Sequence, residues 1–592
     1  MNTELRDILT GIKRAIGFLS PDEKRNLVIA TFLMALAGLL TNVPAIILGE
    51  LVDKLLKKNG EFGLVAPFIA LIIIAILLRE ALTIIRKYLI ENIATKTDKE
   101  QTVKVIEHLL KVDINGFLHE QQVGSLHGRI FRSMQGLIRI IKLTFLDFAP
   151  IFFTAIAAIG IALFQKPLIA FVMILVIPTG LLLIVKQVSS QKGIRVALLR
   201  GKEKVDGKVV EMLGGIETIR VLNTVPYEVN KVETIAENQR KIEMRHHIYM
   251  ALFDSAKYLN EGFVYIVVIV LSIYLASQGV ITKGDILVYA VLFISITGPL
   301  REVHRILDQA HESSIQVNDL YNLLHQPLDI SFDKESVGDK NERTYKGPVV
   351  STKNLSFAYD VNKKTGIIKN ITLNINKGET VGIVGASGCG KTTFVYIILN
   401  LIHGYGGEIK LFNENLADIS RQDIANQIAY VPQKPFIFSG SIKENIIYGL
   451  NKNVADSEIV SAAKNANIYD EIQNGLGGLD GKVSEDGNNL SGGQKQRLAI
   501  ARVMLSSPEL IIFDEATSAL DNTNEAAIQK NIERIFKGKT VIWIAHRLTT
   551  LKNADRILVF DKGRIVQDGT FNNLSAEKGL FQDFLMQKTV NS

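Results

Sequence analysis

The sequence predicts a membrane protein in two parts: an all-α transmembrane half of six helices, then an α/β half built around a phosphate-gripping loop. Three observations predict it. Long apolar runs such as LVAPFIALIIIAILL, Leu64 to Leu78, all lie before Arg301. From Val349 onward, short β-rich runs (ETVGIVG, LIIFDE, TVIWIAH, RILVFDKGRIV) alternate with helical patterns, the mark of an α/β layer. Between the first of these runs and the helical TTFVYIILNLI lies a stretch fitting G-x-x-x-x-G-K-[ST]: Gly385, Ala386, Ser387, Gly388, Cys389, Gly390, Lys391, Thr392.

Composition agrees. A chain of 592 residues is too long for one core. Hydrophobic residues make up 47%, high for a soluble protein of this size. The net charge of +7 is accounted for by loops facing the cytoplasm, so no nucleic-acid partner is expected. The single cysteine, Cys389, rules out an intrachain disulfide and a Cys-based zinc site. Residues 1–25 are charged and amphipathic and read as a surface elbow rather than a cleaved signal peptide.

A bilayer span needs roughly 20 mostly apolar residues. Six segments read as spans: Leu27 to Gly49, Gly63 to Leu78 as the core of a span whose amphipathic stretch continues past Arg79, Phe148 to Gln165, Pro167 to Val185, Gly262 to Thr282, and the shorter Ile286 to Leu300. The third and fourth pair around Lys166, the fifth and sixth around Lys283, Gly284 and Asp285. Connections alternate between short and long. The long ones, near residues 86–140 and 190–250, each hold about ten Lys and Arg, against one to three in each short one, which places them and both termini in the cytoplasm. Lacking Gly/Pro punctuation, they read as membrane helices continuing into the cytosol as hairpins. The expected division is an elbow (1–25), a transmembrane domain (26–325), a polar linker (326–345) and the α/β domain (346–592).

The chemistry concentrates in the last of these. Glycines let backbone N–H groups turn around phosphates, and the following helix N-terminus adds partial positive charge. Lys391 reaches the β- and γ-phosphates, and the Thr392 hydroxyl can ligate Mg²⁺. Asp514 and Glu515 end the strand LIIFDE, and adjacent strand residues point opposite ways. One carboxylate can serve the metal and the other the attacking water. In LSGGQKQRLAIAR, Ser491, Gly492, Gly493 and Gln494 open a helical stretch, a second set of N–H groups aimed at an anion.

With LSGGQ in place, the chain resembles the ATP-binding cassette (ABC) transporters, and the resemblance covers nearly its whole length. Tyr359 in LSFAYD matches the aromatic that stacks on adenine. Gln433 in AYVPQKPF matches the glutamine that touches Mg²⁺ and water. Glu485 lies where exporters contact transmembrane loops, Ser518 to Asp521 match the loop that crosses the dimer, and His546 matches the switch histidine. Six spans fused ahead of one cassette resemble an exporter half-transporter, which implies the ABC exporter fold. Segments around Asp113 to Leu118 and Asn223 to Val232 resemble its coupling helices.

The resemblance implies ATP and Mg²⁺ as cofactors. It places the nucleotide on Tyr359, Gly385 to Thr393 and the signature residues Ser491 to Gln494 of a facing chain. It gives the metal to Thr392, Asp514 and Gln433, and makes Glu515 the general base, with His546 and Gln433 orienting γ-phosphate and water. A second half-transporter is implied, a homodimer being expected and a heterodimer the alternative, in the cytoplasmic (inner) membrane of a bacterium. The cargo stays open among small amphipathic molecules, lipids and peptides. A lipid flippase, an importer on the exporter fold and an ATP-gated channel compete with efflux; intact Glu515 and His546 favour turnover over gating. Asp254, Lys257 and Glu261, and Arg301, Arg305, Asp308 and Glu312, recur at helical spacing and read either as solvated helix ends or as substrate contacts. His246 and His247 diverge on a helix and make no metal site.

Overall fold

The computed structural model describes residues 3–57, 65–114, 123–190, 193–336, 347–359, 366–450, 452–520, 522–545 and 547–589. They form two compact units: Met1–Leu109 with Gly124–His325, and Leu110–Val123 with Gln326–Ser592.

The first unit is helical throughout: α1 (Thr3–Gly17), α2 (Pro21–Lys57), α3 (Val65–Lys111, whose last two residues group with the second unit), α4 (Val123–Lys142), α5 (Ala149–Gln165), α6 (Pro167–Ile174), α7 (Val176–Ser190), α8 (Ile194–Gly214), α9 (Ile216–Val221), α10 (Val225–Ser277) and α11 (Lys283–Leu323). Among the described residues six stretches are long and apolar enough to cross a membrane: α2, α3, α4 with α5, α6 with α7, α10 and α11. Their outward faces carry exposed Val28, Leu77, Phe171 and Phe263, as lipid contact requires. A π-helical turn, Leu143–Phe148, joins α4 to α5. Lys166 is extended, and Pro167 starts α6 where its missing N–H costs nothing.

Small residues set the packing. A Cβ on Gly38 would lie 2.9 Å from the Phe153 carbonyl carbon, so α2 lies directly on α5, and Asn42 Nδ2 donates to Thr154 O at 3.1 Å. α1 lies along α11, where Arg14 donates to Asn318 Oδ1 at 2.6 Å.

The described parts of the long connections are helical: α3 runs on to Lys111, and α8, α9 and α10 follow one another, broken at Gly215 and at the Asn223 turn. The last short turn differs from expectation. Gly279, at φ +71°, ends α10, and Thr282 caps α11 by exchanging hydrogen bonds with Asp285. Lys283, Gly284 and Asp285 are thus the first turn of α11 and not the connection. The charged clusters also differ from plain solvated ends. Lys257 and Glu261 are buried; Lys257 pairs with Asp254 at 2.7 Å, and Glu261 pairs with Arg301 of α11 at 2.7 Å.

The second unit contains a six-stranded sheet ordered β12-β11-β3-β10-β9-β6, from β3 (Thr380–Gly385), β6 (Ile428–Val431), β9 (Leu510–Asp514), β10 (Thr540–Ile544), β11 (Arg556–Asp561) and β12 (Arg564–Gly569). All pairings are parallel except β11 with β12. Leu510 to Asp514 and Thr540 to Ile544 are buried at every position, as a doubly covered parallel sheet demands. A second, antiparallel sheet runs β2-β1-β4-β5, from β1 (Pro348–Phe357), β2 (Ile368–Asn376), β4 (Gly406–Leu411) and β5 (Glu414–Asn415). β7 (Gly440–Ser441) pairs with β8 (Lys482–Val483). The helices are α12 (Lys391–Ile398), α13 (Arg421–Gln427), α14 (Ile442–Ile447), α15 (Asp456–Asn465), α16 (Tyr469–Gly475), α17 (Gly492–Met504), α18 (Asn522–Ile535), α19 (Phe571–Ala576) and α20 (Leu580–Thr589).

Candidate active site

The site lies at the C-terminal ends of the parallel strands, where open α/β sheets bind ligands. β3 ends in Gly385, and the loop returns into α12 through Gly388 (φ +78°) and Gly390 (φ +107°). Gly390 has to be glycine twice over: its φ is left-handed, and a Cβ would meet the Ile367 carbonyl at 3.0 Å. Ala386, Ser387 and Gly388 are exposed at the crown, while Cys389 is buried. Lys391 is 9% exposed, and its Nζ donates to Gly385 O (2.8 Å) and Ala386 O (3.0 Å), so the ammonium is held inside the loop. Thr392 is exposed toward the same space and Thr393 is buried.

Two strands away, Asp514 ends β9 at 4% exposure. Burial, and next the charge of Glu515, push its carboxyl above the ordinary aspartate range; hydrogen bonds from Thr392 and Tyr430 oppose the shift in part. A buried carboxylate crowded by a second one, beside the Thr392 hydroxyl, suits a hard divalent cation such as Mg²⁺, which binds one or two carboxylates together with substrate phosphates. Among the described residues no group of three or more His, Cys, Asp or Glu forms a protein-only metal cage, at His246 and His247 or elsewhere.

Glu515 stands at φ +49°, left-handed for a residue with a long side chain. Its N–H donates to Ile544 O at 2.9 Å, anchoring the turn to β10. Its carboxylate accepts from Gln433, which is exposed on the loop after β6. Ser491 caps α17 in a reciprocal box: Gln494 N donates to Ser491 Oγ (3.2 Å), and Ser491 N to Gln494 Oε1 (2.8 Å). Ser491 and Gly492 are exposed at the start of α17. Tyr359 follows β1, 39% exposed, its ring edge-on to Phe357 at 5.0 Å. His546 and Asp521 lie outside the described residues, as do positions 115–118 of the first coupling segment. In the second, Asn223 (φ +51°) turns the chain into α10 and leaves Tyr227 and Val229 exposed.

Two residues absent from the motif reading join this constellation. Gln496, 2% exposed, spans three segments: Nε2 donates to Gln433 O (3.3 Å) and Ser518 Oγ (3.2 Å), and Oε1 accepts from Ala519 N (3.1 Å). Tyr430 on β6 points its hydroxyl at Asp514 Oδ2, 3.4 Å away. A glutamine just past the signature and an aromatic on a strand are common enough that spacing alone does not single them out.

Comparison with known proteins follows the same division. The family model described as ABC transporter transmembrane region matches residues 27–300, and the one described as ABC transporter matches 368–518. A Desulfotalea psychrophila protein named ATP-dependent lipid A-core flippase is 28% identical over 560 residues, 94% of this chain and 96% of that one. A Staphylococcus aureus protein, named as a candidate multidrug export ATP-binding/permease protein, is 30% identical over 509 residues, 86% of this chain and 87% of its own. The solved structure of a bacterial Atm1-family ABC exporter with ATP bound superposes with a TM-score of 0.82 at 23% identity, covering 96% of this chain and 99% of that one, a likeness of fold.

Proposed function

Because this chain belongs to the ABC transporter family, with transmembrane region and cassette in one polypeptide, we infer that it is an ATP-driven exporter moving its substrate across the cytoplasmic membrane by alternating access. The observation that carries the reading is the convergence of Lys391, Asp514 and the Gln433–Glu515 pair at the C-terminal ends of the sheet's strands, in a chain whose described residues include six stretches long and apolar enough to cross a membrane. Such machinery serves phosphoryl transfer, in which positioning and charge stabilisation do most of the work.

In this reading the loop from Gly385 to Thr393 cradles the phosphates and Tyr359 stacks on the adenine. Thr392, Asp514 and Gln433 would hold Mg²⁺, which would supply charge neutralisation for phosphoryl transfer. Glu515 accepts the proton of the attacking water, with Gln433 and His546 orienting it. Ser491 to Gln494 close over the nucleotide of a second chain, most simply an identical one. The domains follow the division 1–25, 26–325, 326–345 and 346–592, with cassettes and both termini cytoplasmic. Full conversion between two transporter states requires about 5 kcal/mol of differential binding, which two clamped nucleotides can supply.

Amphipathic compounds and lipids are the favoured cargo, in keeping with the multidrug and lipid A-core names of the two relatives. The test is ATP-dependent uptake into proteoliposomes with cassettes outward, using a panel of amphipathic dyes, labelled lipids and peptides. Uptake that vanishes in Glu515→Gln supports efflux. Uptake seen only in vesicles of opposite orientation would mean import. Lipid movement between leaflets without dye uptake would favour the flippase.

A further inference from the structure

One arginine holds both the phosphate-loop helix and the chain leaving the last membrane helix. After α11 the backbone folds onto the cassette unit, where Asp329 caps the short turn Ile330–Phe332 by accepting from Ser331 N (2.8 Å) and Ser331 Oγ (2.6 Å). Arg421, the first residue of α13, reaches this turn twice: Nε donates to Ser331 Oγ (3.1 Å), and Nη2 to Asp329 Oδ2 (3.0 Å). The same guanidinium donates through Nη1 to Leu399 O (2.9 Å) and through Nη2 to Asn400 O. Leu399 caps α12 and Asn400 follows it. The Phe332 ring lies 5.8 Å from the guanidinium carbon, and His403 Nε2 sits 3.0 Å from Asp329 Oδ1. Burial alone would raise the Asp329 carboxyl; hydrogen bonds from His403 and Ser331 outweigh it and hold the carboxyl well below the usual range. The Asp329 carboxylate is therefore ionised throughout the physiological pH range.

The backbone of this segment is tied to a second membrane helix. Asp329 N donates to Lys111 O (2.8 Å), Asp113 N donates to Pro327 O (3.3 Å), and Val112 bridges Leu328 in antiparallel fashion. Lys111 is the last residue of α3. The ends of α3 and of the chain from α11 thus meet in one patch, and Arg421 pins that patch to α12. α12 is a rod of eight residues, about 12 Å long at 1.5 Å per residue. Its first residue is Lys391, in the phosphate loop, and the two carbonyls just past its last residue are in the grip of Arg421.

We propose that Arg421 is a positioning residue for coupling, carrying the response of α12 to nucleotide into the segments through which α3 and α11 enter the cassette unit. The proposal deepens the exporter reading and rests on it. It adds a route within one chain to the docking loops of a partner. The geometry suits the task. A planar guanidinium fixed by four acceptors, one of them a buried carboxylate, transmits a displacement, where a single flexible contact would absorb it. A lysine at 421 would keep the charge and reach fewer acceptors at a time.

The test is hydrogen–deuterium exchange on the full chain in lipid nanodiscs, with and without ATP plus vanadate, alongside ATP turnover. In the parent, protection should rise in the phosphate loop, and exchange should also change in residues 104–111 and 318–328. In Arg421→Ala, turnover and phosphate-loop protection should stay near parental while the response of residues 104–111 and 318–328 falls about fivefold or more, the scale of a typical coupling energy. Arg421→Lys should restore part of it, which a merely structural defect would not predict. If both regions respond in Arg421→Ala as in the parent, the proposal is wrong. If that variant loses the phosphate-loop response because the cassette is damaged, Asp329→Asn, which preserves the side-chain shape, decides by the same comparison. A parent whose phosphate loop responds while the other two segments stay silent removes the coupling role and leaves the exporter reading standing. A parent whose phosphate loop ignores ATP removes both.

Discussion

Gln433 Nε2 donates a hydrogen bond to Glu515 Oε2 at 2.5 Å, tying the loop after β6 to the carboxylate beyond β9. The two residues are far apart in sequence, and Gln496 clamps the carbonyl of the same glutamine. The loop after β6, itself held by Gln496 of α17, thus orients the carboxylate, which is what the base role proposed for Glu515 requires.

Glu515→Gln should retain ATP binding and lose turnover by about 10²–10⁴-fold, the range for removing a positioned general base. Phosphate release read beside filter-bound nucleotide checks it. Near-parental hydrolysis would take the base role away from Glu515.

Lys391→Ala should act on binding itself. Its Nζ lies inside the loop on the Gly385 and Ala386 carbonyls, and contact with phosphate exchanges those bonds for charge-assisted ones. Losing them should cost about 1.5–3 kcal/mol, the scale for hydrogen bonds to charged groups. Titration with a fluorescent ATP analogue measures this. An unchanged Kd would contradict the phosphate-loop assignment.

Asp514→Asn should pull stability and activity in opposite directions. The folded protein raises the Asp514 carboxyl, so this group's stability contribution is full below the unfolded value and lost as pH rises through the folded one. Once ionised, the buried side chain is a burden until a cation arrives. The amide should raise Tm in EDTA, abolish the further rise on adding Mg²⁺ with nucleotide, and cut Mg²⁺-dependent turnover at least about a hundredfold. Differential scanning calorimetry with and without Mg²⁺ separates these effects. A lower Tm in EDTA would show that the carboxylate is structurally needed.

Gly284→Ala should loosen the membrane unit. A Cβ there would sit 2.0 Å from Gly49 O, and the Gly284 N–H donates to Asp53 Oδ1 at 2.8 Å. α2 and α11 would have to separate, at about 1–3 kcal/mol. Gly160→Ala, where a Cβ meets nothing within 4 Å, is the matched control and should be neutral or slightly stabilising. Thermal unfolding in nanodiscs compares them, and equal Tm values would refute the close contact.

Sequence exposes what is local. An apolar run long enough for lipid is visible from composition, so all six spans are found. The phosphate loop is visible too, because its chemistry lies in consecutive backbone groups. Hydropathy does not register caps, so Gly279 and Thr282 pass unnoticed and the last turn is misplaced by several residues. Pairing across helices is equally hidden. Glu261 looks like a solvated charge until Arg301, on the next helix, is seen beside it. Gln496 matters only because two other segments converge on it, and Arg421 only because five residues do. The motif reading reaches every residue whose role is written by its neighbours in sequence, and stops where neighbours in space take over.

Glu515 occupies a left-handed backbone that glycine or asparagine would adopt with less strain. Stability alone would favour glycine or asparagine there, so the base role proposed for Glu515 is what accounts for a glutamate at this position. In a lineage relieved of the need to transport, this position should be among the first to drift. Chains carrying Gly or Asn there should fold at least as well, and would mark, in any population sampled, where pumping had ceased to matter.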